Sequence, residues 1–188
     1  MTASPSSPPI SHGLYKEKTT ILLGMNPAKE HVQARADISP PHAYVSDHGT
    51  AVESDLKRIA VADDQITVSA DITRNERSLI EEAISVTQPS KKECFSNALK
   101  LWQYDHRFKY TEGYASFSDR PDIVVEHAWA MLDGDKIVDS IAEFKHHYGV
   151  VLASQELLEQ NTGSNIHSEG IICGRRNYDF LRKCGYTK

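Results

Sequence analysis

The sequence is short of cysteine, with three in 188 residues, at positions 94, 173 and 184. So low and odd a count excludes a secreted disulfide framework as the source of the fold. No Cys-x-x-Cys pair is present. His146-His147 and His167-Ser168-Glu169 lack the paired spacing of structural zinc ligands, so no metal site is expected. No cofactor is expected, since Leu22-Leu23-Gly24-Met25-Asn26 lacks the Gly-Lys-Ser/Thr ending of a phosphate loop. A basic surplus is missing as well. The net charge of −5 argues against nucleic acid as a partner, and Arg175-Arg176 with Lys183 read as a solvated face. No apolar run approaches transmembrane length, so no membrane partner is expected. The opening Met-Thr-Ala-Ser-Pro-Ser-Ser-Pro-Pro has neither the charged nor the apolar region of a signal peptide. The expected location is the cytoplasm, or outside the cell by export without a cleaved signal.

What is present suits one α+β domain. Residues 1–18 read as a flexible segment and 19–188 as the domain. Thr19–Met25 reads as a short strand and 26–55 as irregular chain, broken by Pro27, Pro40 and Pro41. Ile66–Ile72 alternates like a strand. Leu79, Ile80, Ala83, Ile84 and Val86 form the apolar stripe of a helix from Arg74 to Val86. After Gln88-Pro89, Ser90 and Glu93 have the spacing of a capping box, which starts a second helix running to Tyr104–Asp105. The period then changes to alternation. Tyr110–Phe117, Ile123–Leu132, Lys136–Ile141 and Tyr148–Leu152 read as strands, with a turn at Asp133-Gly134. A short helix from Ser154, a strand at Gly170–Cys173 and a helix from Arg175 to Lys183 complete the expectation. Helices followed by an antiparallel meander make an α+β fold, N-terminal helices packed on an antiparallel sheet.

Three residues in this frame carry chemistry. Cys94 falls in the first turn of its helix, where unpaired N–H groups and the helix dipole favour a thiolate, with Lys91 and Lys92 adding positive charge. An inert buried cysteine is the alternative. His127 and Asp139 lie on the two arms of the hairpin. With Leu132-Asp133-Gly134 as a three-residue loop, His127 faces Asp139 directly, among Val125, Trp129, Met131, Ile137 and Ile141. A two-residue loop would scatter those apolar residues over both faces, so the hydrophobic pattern selects the first register. Cross-strand neighbours are within hydrogen-bond reach. A purely structural pair is the alternative reading, but such a pair adds little stability over two apolar residues. The helix of Cys94 is expected to pack on this same face.

These residues resemble the transglutaminase-like and papain-like cysteine enzymes. The match runs through Cys94, Glu112-Gly113-Tyr114, His127-Ala128-Trp129 and Val138-Asp139, over roughly residues 88–152, with Ser140-Ile141 where such proteins often carry Pro-Thr. The resemblance implies a papain/transglutaminase-like core and a Cys94–His127–Asp139 triad for acyl transfer on a carboxamide or peptide bond. It implies Gln88 as an oxyanion donor, Trp129 as a substrate-binding residue, and a protein or peptide substrate with an amide group. Water as acceptor would give a peptidase or glutamine deamidase, and an amine would give a transglutaminase. A catalytically silent domain of the same fold, serving as a protein-binding module, is the second expectation.

Overall fold

The structure is a computed structural model that describes residues 25–52, 54–141, 143–154, 170–173 and 179–186. The segment expected to be flexible, the strand at 19–25 save Met25, and the helix after Ser154 lie outside the described residues.

Residues 26–55, expected to be irregular, form α1 (Pro27–Gln33), α2 (Pro40–His48) and β1 (Thr50–Ala51). The prolines that looked like breakers stand in the first helical turns, where a missing N–H costs nothing. Asn26 caps α1 by accepting the N–H groups of Ala28 and Lys29. Then come β2 (Leu56–Val61) and β3 (Asp64–Ser69), a hairpin turned at Ala62, of which only the second strand was expected. The helix α3 (Arg74–Thr87) opens with a reciprocal capping box between Thr73 and Glu76.

The helix α4 runs Cys94–Tyr104. It ends where expected but starts three residues later, with Glu93 rather than Ser90 at the N-cap, and the expected Ser90–Glu93 capping box is not formed. Glu93 gives no side-chain cap. Instead the buried Asn97 reaches back over the preceding turn. Its Oδ1 accepts the Ser90 N–H at 2.9 Å, and its Nδ2 donates to the Ser90 carbonyl at 2.8 Å and to the Ser140 hydroxyl at 3.1 Å.

The remaining strands are β4 (Phe108–Phe117), β5 (Val124–Leu132), β6 (Lys136–Asp139) and β7 (Phe144–Val151). All seven strands form one antiparallel sheet in the order β1-β7-β4-β5-β6-β3-β2. It is not a simple meander, because β7 returns to pair with β4 on the side away from β5. The helices cover one face. Ala98 and Leu99 of α4 pack with Tyr110, Tyr114 and Ala128, and Leu101 packs with Phe108, Ala130, Leu132 and Val138. Since side chains alternate along a strand, His127, Trp129 and Met131 point to the other face.

Gly170–Cys173 is not a strand. It lies against β4, held by one carboxylate. The buried Glu112 accepts the N–H groups of Ile171, Ile172 and Cys173 at 2.8, 2.7 and 2.6 Å, and the Tyr110 hydroxyl at 3.0 Å. Gly170 has a φ of 76°, and a Cβ there would sit 2.6 Å from the Phe95 ring and overlap the Glu112 carboxylate. The chain resumes as α5 (Asp179–Lys183), the described end of the expected terminal helix, which closes at Gly185 with a φ of 88°. No helix among the described residues is long and apolar enough to cross a membrane.

Glu112→Gln puts an amide N–H where two donors now converge. It is expected to cost about 1–3 kcal/mol, read as a lower urea midpoint. An unchanged midpoint would show that Glu112 does not tie residues 171–173 to the sheet.

Candidate functional site

The site begins at the hairpin of β5 and β6. Leu132 pairs with Lys136, Met131 with Ile137 and Ala130 with Val138. The loop is therefore Asp133-Gly134-Asp135, and the register is two residues away from the expected one. Two features fix it. Leu132 is fully buried in the core and cannot serve as a loop residue. Asp133, in the left-handed region with a φ of 54°, is clamped by the Arg107 guanidinium at 3.0 and 2.6 Å and by the Arg107 carbonyl. A shift of two preserves the faces. His127 and Asp139 still share one face, as diagonal rather than direct neighbours.

They meet all the same. His127 Nε2 donates to Asp139 Oδ2 at 2.8 Å, with both side chains buried. The β5–β6 ladder stops at Ala130 and Val138, so Asp139 lies beyond the last pair. Its other oxygen, Oδ1, accepts the Ile141 N–H at 2.9 Å. The His127 ring stacks on Trp129 at 5.9 Å and lies 4.3 Å from the Phe144 ring.

The Cys94 side chain lies close enough to His127 to help raise the affinity of the imidazole for a proton. The body of α4 packs on the face opposite His127, against the expectation of a shared face. Contact is made at the start of the helix, past the end of the β5–β6 ladder, where Asn97 ties the helix to Ser140 beside Asp139. Cys94 is partly exposed, so it is the member of the trio that faces outward.

The electrostatics follow from burial and pairing. Burial alone would strip the proton from His127. The Asp139 charge and hydrogen bond, and then Cys94, outweigh it and raise the imidazole to about 9. Burial would protonate Asp139, but the His127 charge and hydrogen bond, then those of His147, hold it down to about 2. With Nε2 committed to an ionised carboxylate, Nδ1 is the nitrogen left to serve as base.

The sequence did not single out His147 as part of this group. From β7 its Nε2 lies 2.9 Å from the same Asp139 Oδ2. The adjacent pair His146-His147 was visible, but its partner lay in a strand whose pairing is not local. His127, Asp139 and His147 bring their ligand atoms within 4.8 Å of one another, the spacing of a cation site. The donor set does not fit one. A metal on His147 Nε2 would leave the proton on Nδ1, and that buried nitrogen has no acceptor. A hydrogen bond from Nε2 leaves only a lone pair there.

The other two expected residues have different surroundings. Gln88 is the exposed, left-handed C-cap of α3, with a φ of 46°, and the structure does not join it to the trio. Trp129 is buried behind His127, donates to Met131 Sδ at 3.3 Å, and lines a cleft of about 320 Å³ on the face away from α4. His167, Arg175 and Arg176 lie outside the described residues.

A pH dependence of stability follows for the buried pair, whose titration belongs to both members. The raised His127 stabilises fully below its unfolded value of 6.5 and loses this as pH rises through about 9. The depressed Asp139 stabilises above its unfolded value of 3.8 and loses this as pH falls through about 2. The urea midpoint of the wild type minus that of His127→Gln is expected to be greatest between these limits and to shrink on both sides. A difference independent of pH would contradict the pairing.

No protein-family model matches the chain, and neither the curated proteins nor the solved structures give a match.

Proposed function

We propose that the chain is a cysteine-dependent acyl-transfer enzyme acting on a carboxamide or peptide bond, with Cys94 as nucleophile, His127 as general base and acid, and Asp139 as the group that orients His127. The observation that carries this reading is that the partly exposed Cys94 lies beside His127, whose Nε2 is hydrogen-bonded to the buried Asp139. A nucleophile at a helix start, with histidine and aspartate on neighbouring strands, is also the arrangement expected of a papain/transglutaminase-like core.

The chemistry runs as follows. The thiol proton passes to His127 Nδ1, which holds it at neutral pH because the imidazole is raised to about 9, and Cys94 Sγ then attacks the carbonyl carbon to form a C–S bond. The N–H groups of Cys94, Phe95 and Ser96 have no partner within the helix, because the first N–H with one is that of Asn97, bonded to the Glu93 carbonyl. The N–H of Cys94 is therefore the nearest donor to the developing oxyanion, in place of the Gln88 side chain. The C–N bond breaks as His127 returns the proton to the amine, leaving a thioester on Cys94. Water or a second amine then gives its proton to His127 and takes the acyl group, restoring the thiol. Asp139 holds Nε2–H throughout, so Nδ1 stays the working nitrogen.

The test uses p-nitrophenyl acetate as a general acyl donor. A burst of nitrophenolate with acetyl found on Cys94 is expected, lost in Cys94→Ala and slowed at least about tenfold in Asp139→Asn. Acetylation of Cys94 no faster than in the urea-unfolded chain would sink the enzyme reading and favour the catalytically silent binding module.

A further inference from the structure

Asp139 Oδ2 is shared. It takes the His127 Nε2 at 2.8 Å and the His147 Nε2 at 2.9 Å, and all three side chains are buried. His147 is the least expected of them. It sits on β7, with the whole of β4 and β5 between its strand and β6 in the sheet order. Its ring can cross because the β4 residues opposite His127 and His147 on this face are Gly113 and Ala115 respectively, which carry little or no side chain. The Trp129 ring closes edge-on at 4.9 Å.

A fully buried imidazole is costly unless both nitrogens are satisfied. His147 satisfies only one of them, and the lower-cost arrangement leaves the lone pair rather than the N–H without a partner. Nδ1 has no partner, so Nε2 must carry the proton and Nδ1 the lone pair. The tautomer makes His147 a donor to Asp139 and nothing else. If the site served only packing, an apolar side chain would fill the same volume without this cost.

We propose that His147 is a positioning residue of the acyl-transfer site, fixing the Asp139 carboxylate so that Oδ2 stays aimed at His127 Nε2. The working unit is then Cys94–His127–Asp139–His147, and the inference rests on the proposed acyl-transfer reading. The second donor prevents the carboxylate from rotating when the imidazolium forms and discharges. It also keeps Asp139 ionised in a dry site. The titratable groups that bear on His147 are Asp139 from β6, His127 from β5 and its own neighbour His146. Burial lowers its affinity for a proton, which keeps it neutral at working pH.

The experiment is the pH profile of iodoacetamide alkylation at Cys94, read by peptide mass spectrometry in the full chain. Wild type, His147→Leu, His147→Gln and Asp139→Asn are compared, with circular dichroism as the control for folding. His147→Leu is expected to slow Cys94 at neutral pH by about tenfold, the lower end of losses seen when an orienting neighbour is removed, and to alter the shape of the profile. His147→Gln, whose amide N–H can reach toward Oδ2, is expected to recover most of the rate and the wild-type shape. A folded His147→Leu with the wild-type rate and profile overturns the proposal while Asp139→Asn still slows Cys94. A wild-type Cys94 that alkylates no faster than in the unfolded chain overturns the acyl-transfer reading, and this proposal with it. Should His147→Leu fail to fold, nitrogen-15 NMR of the wild type decides. His147 protonated on Nε2 and bare on Nδ1 supports the role, and a proton on Nδ1 overturns it.

Discussion

One buried carboxylate organises this molecule. Asp139 has no exposed surface, yet it is held as an anion by two imidazole donors and the N–H of Ile141. A buried charge with three donors is tolerable, and one with a donor removed is not. The strands β5, β6 and β7 are therefore bound to one another through this oxygen pair as well as through the ladders. The same requirement dictates the chemistry, since an anion at Nε2 makes His127 a base at Nδ1 and holds its ring toward Cys94.

Two further buried polar side chains carry the nucleophile to that base. Asn97 satisfies both backbone groups of Ser90 and reaches Ser140, so the first turn of α4 is tied to the residue next to Asp139. Glu112 gathers three N–H groups of residues 171–173, whose Gly170 lies against Phe95, the neighbour of Cys94. These contacts act at the helix start. The apolar body of α4 is held on the opposite face from His127, so packing alone would not deliver Cys94 to it. Polar ties at the end of the β5–β6 ladder make the contact.

The parts legible in the sequence are those with local periodicity. The apolar stripe of α3 and the alternation of β4, β5 and β7 are repetitive and short-range. The parity of the β5–β6 hairpin was legible for the same reason, and parity is enough to put His127 and Asp139 on one face. The register within that parity was not, because Arg107, far off in sequence, clamps Asp133 and excludes Leu132 from the loop. The helix α2 has almost no amphipathic contrast and begins at proline, so no periodic signal marks it. His147 was hidden by topology, since the return of β7 to the far side of β4 is a long-range choice.

The central claim is that the site, and not exposure, sets the behaviour of Cys94. The chain carries its own control. Cys184 is exposed, Cys94 is partly exposed and Cys173 is buried. The direct measurement is one limiting dose of iodoacetamide at neutral pH, with the label on each cysteine counted by peptide mass spectrometry. The account predicts that Cys94 is labelled ahead of the more exposed Cys184, and that His127→Ala reverses the order. Labelling that follows exposure alone, with Cys184 first in the wild type, would contradict it.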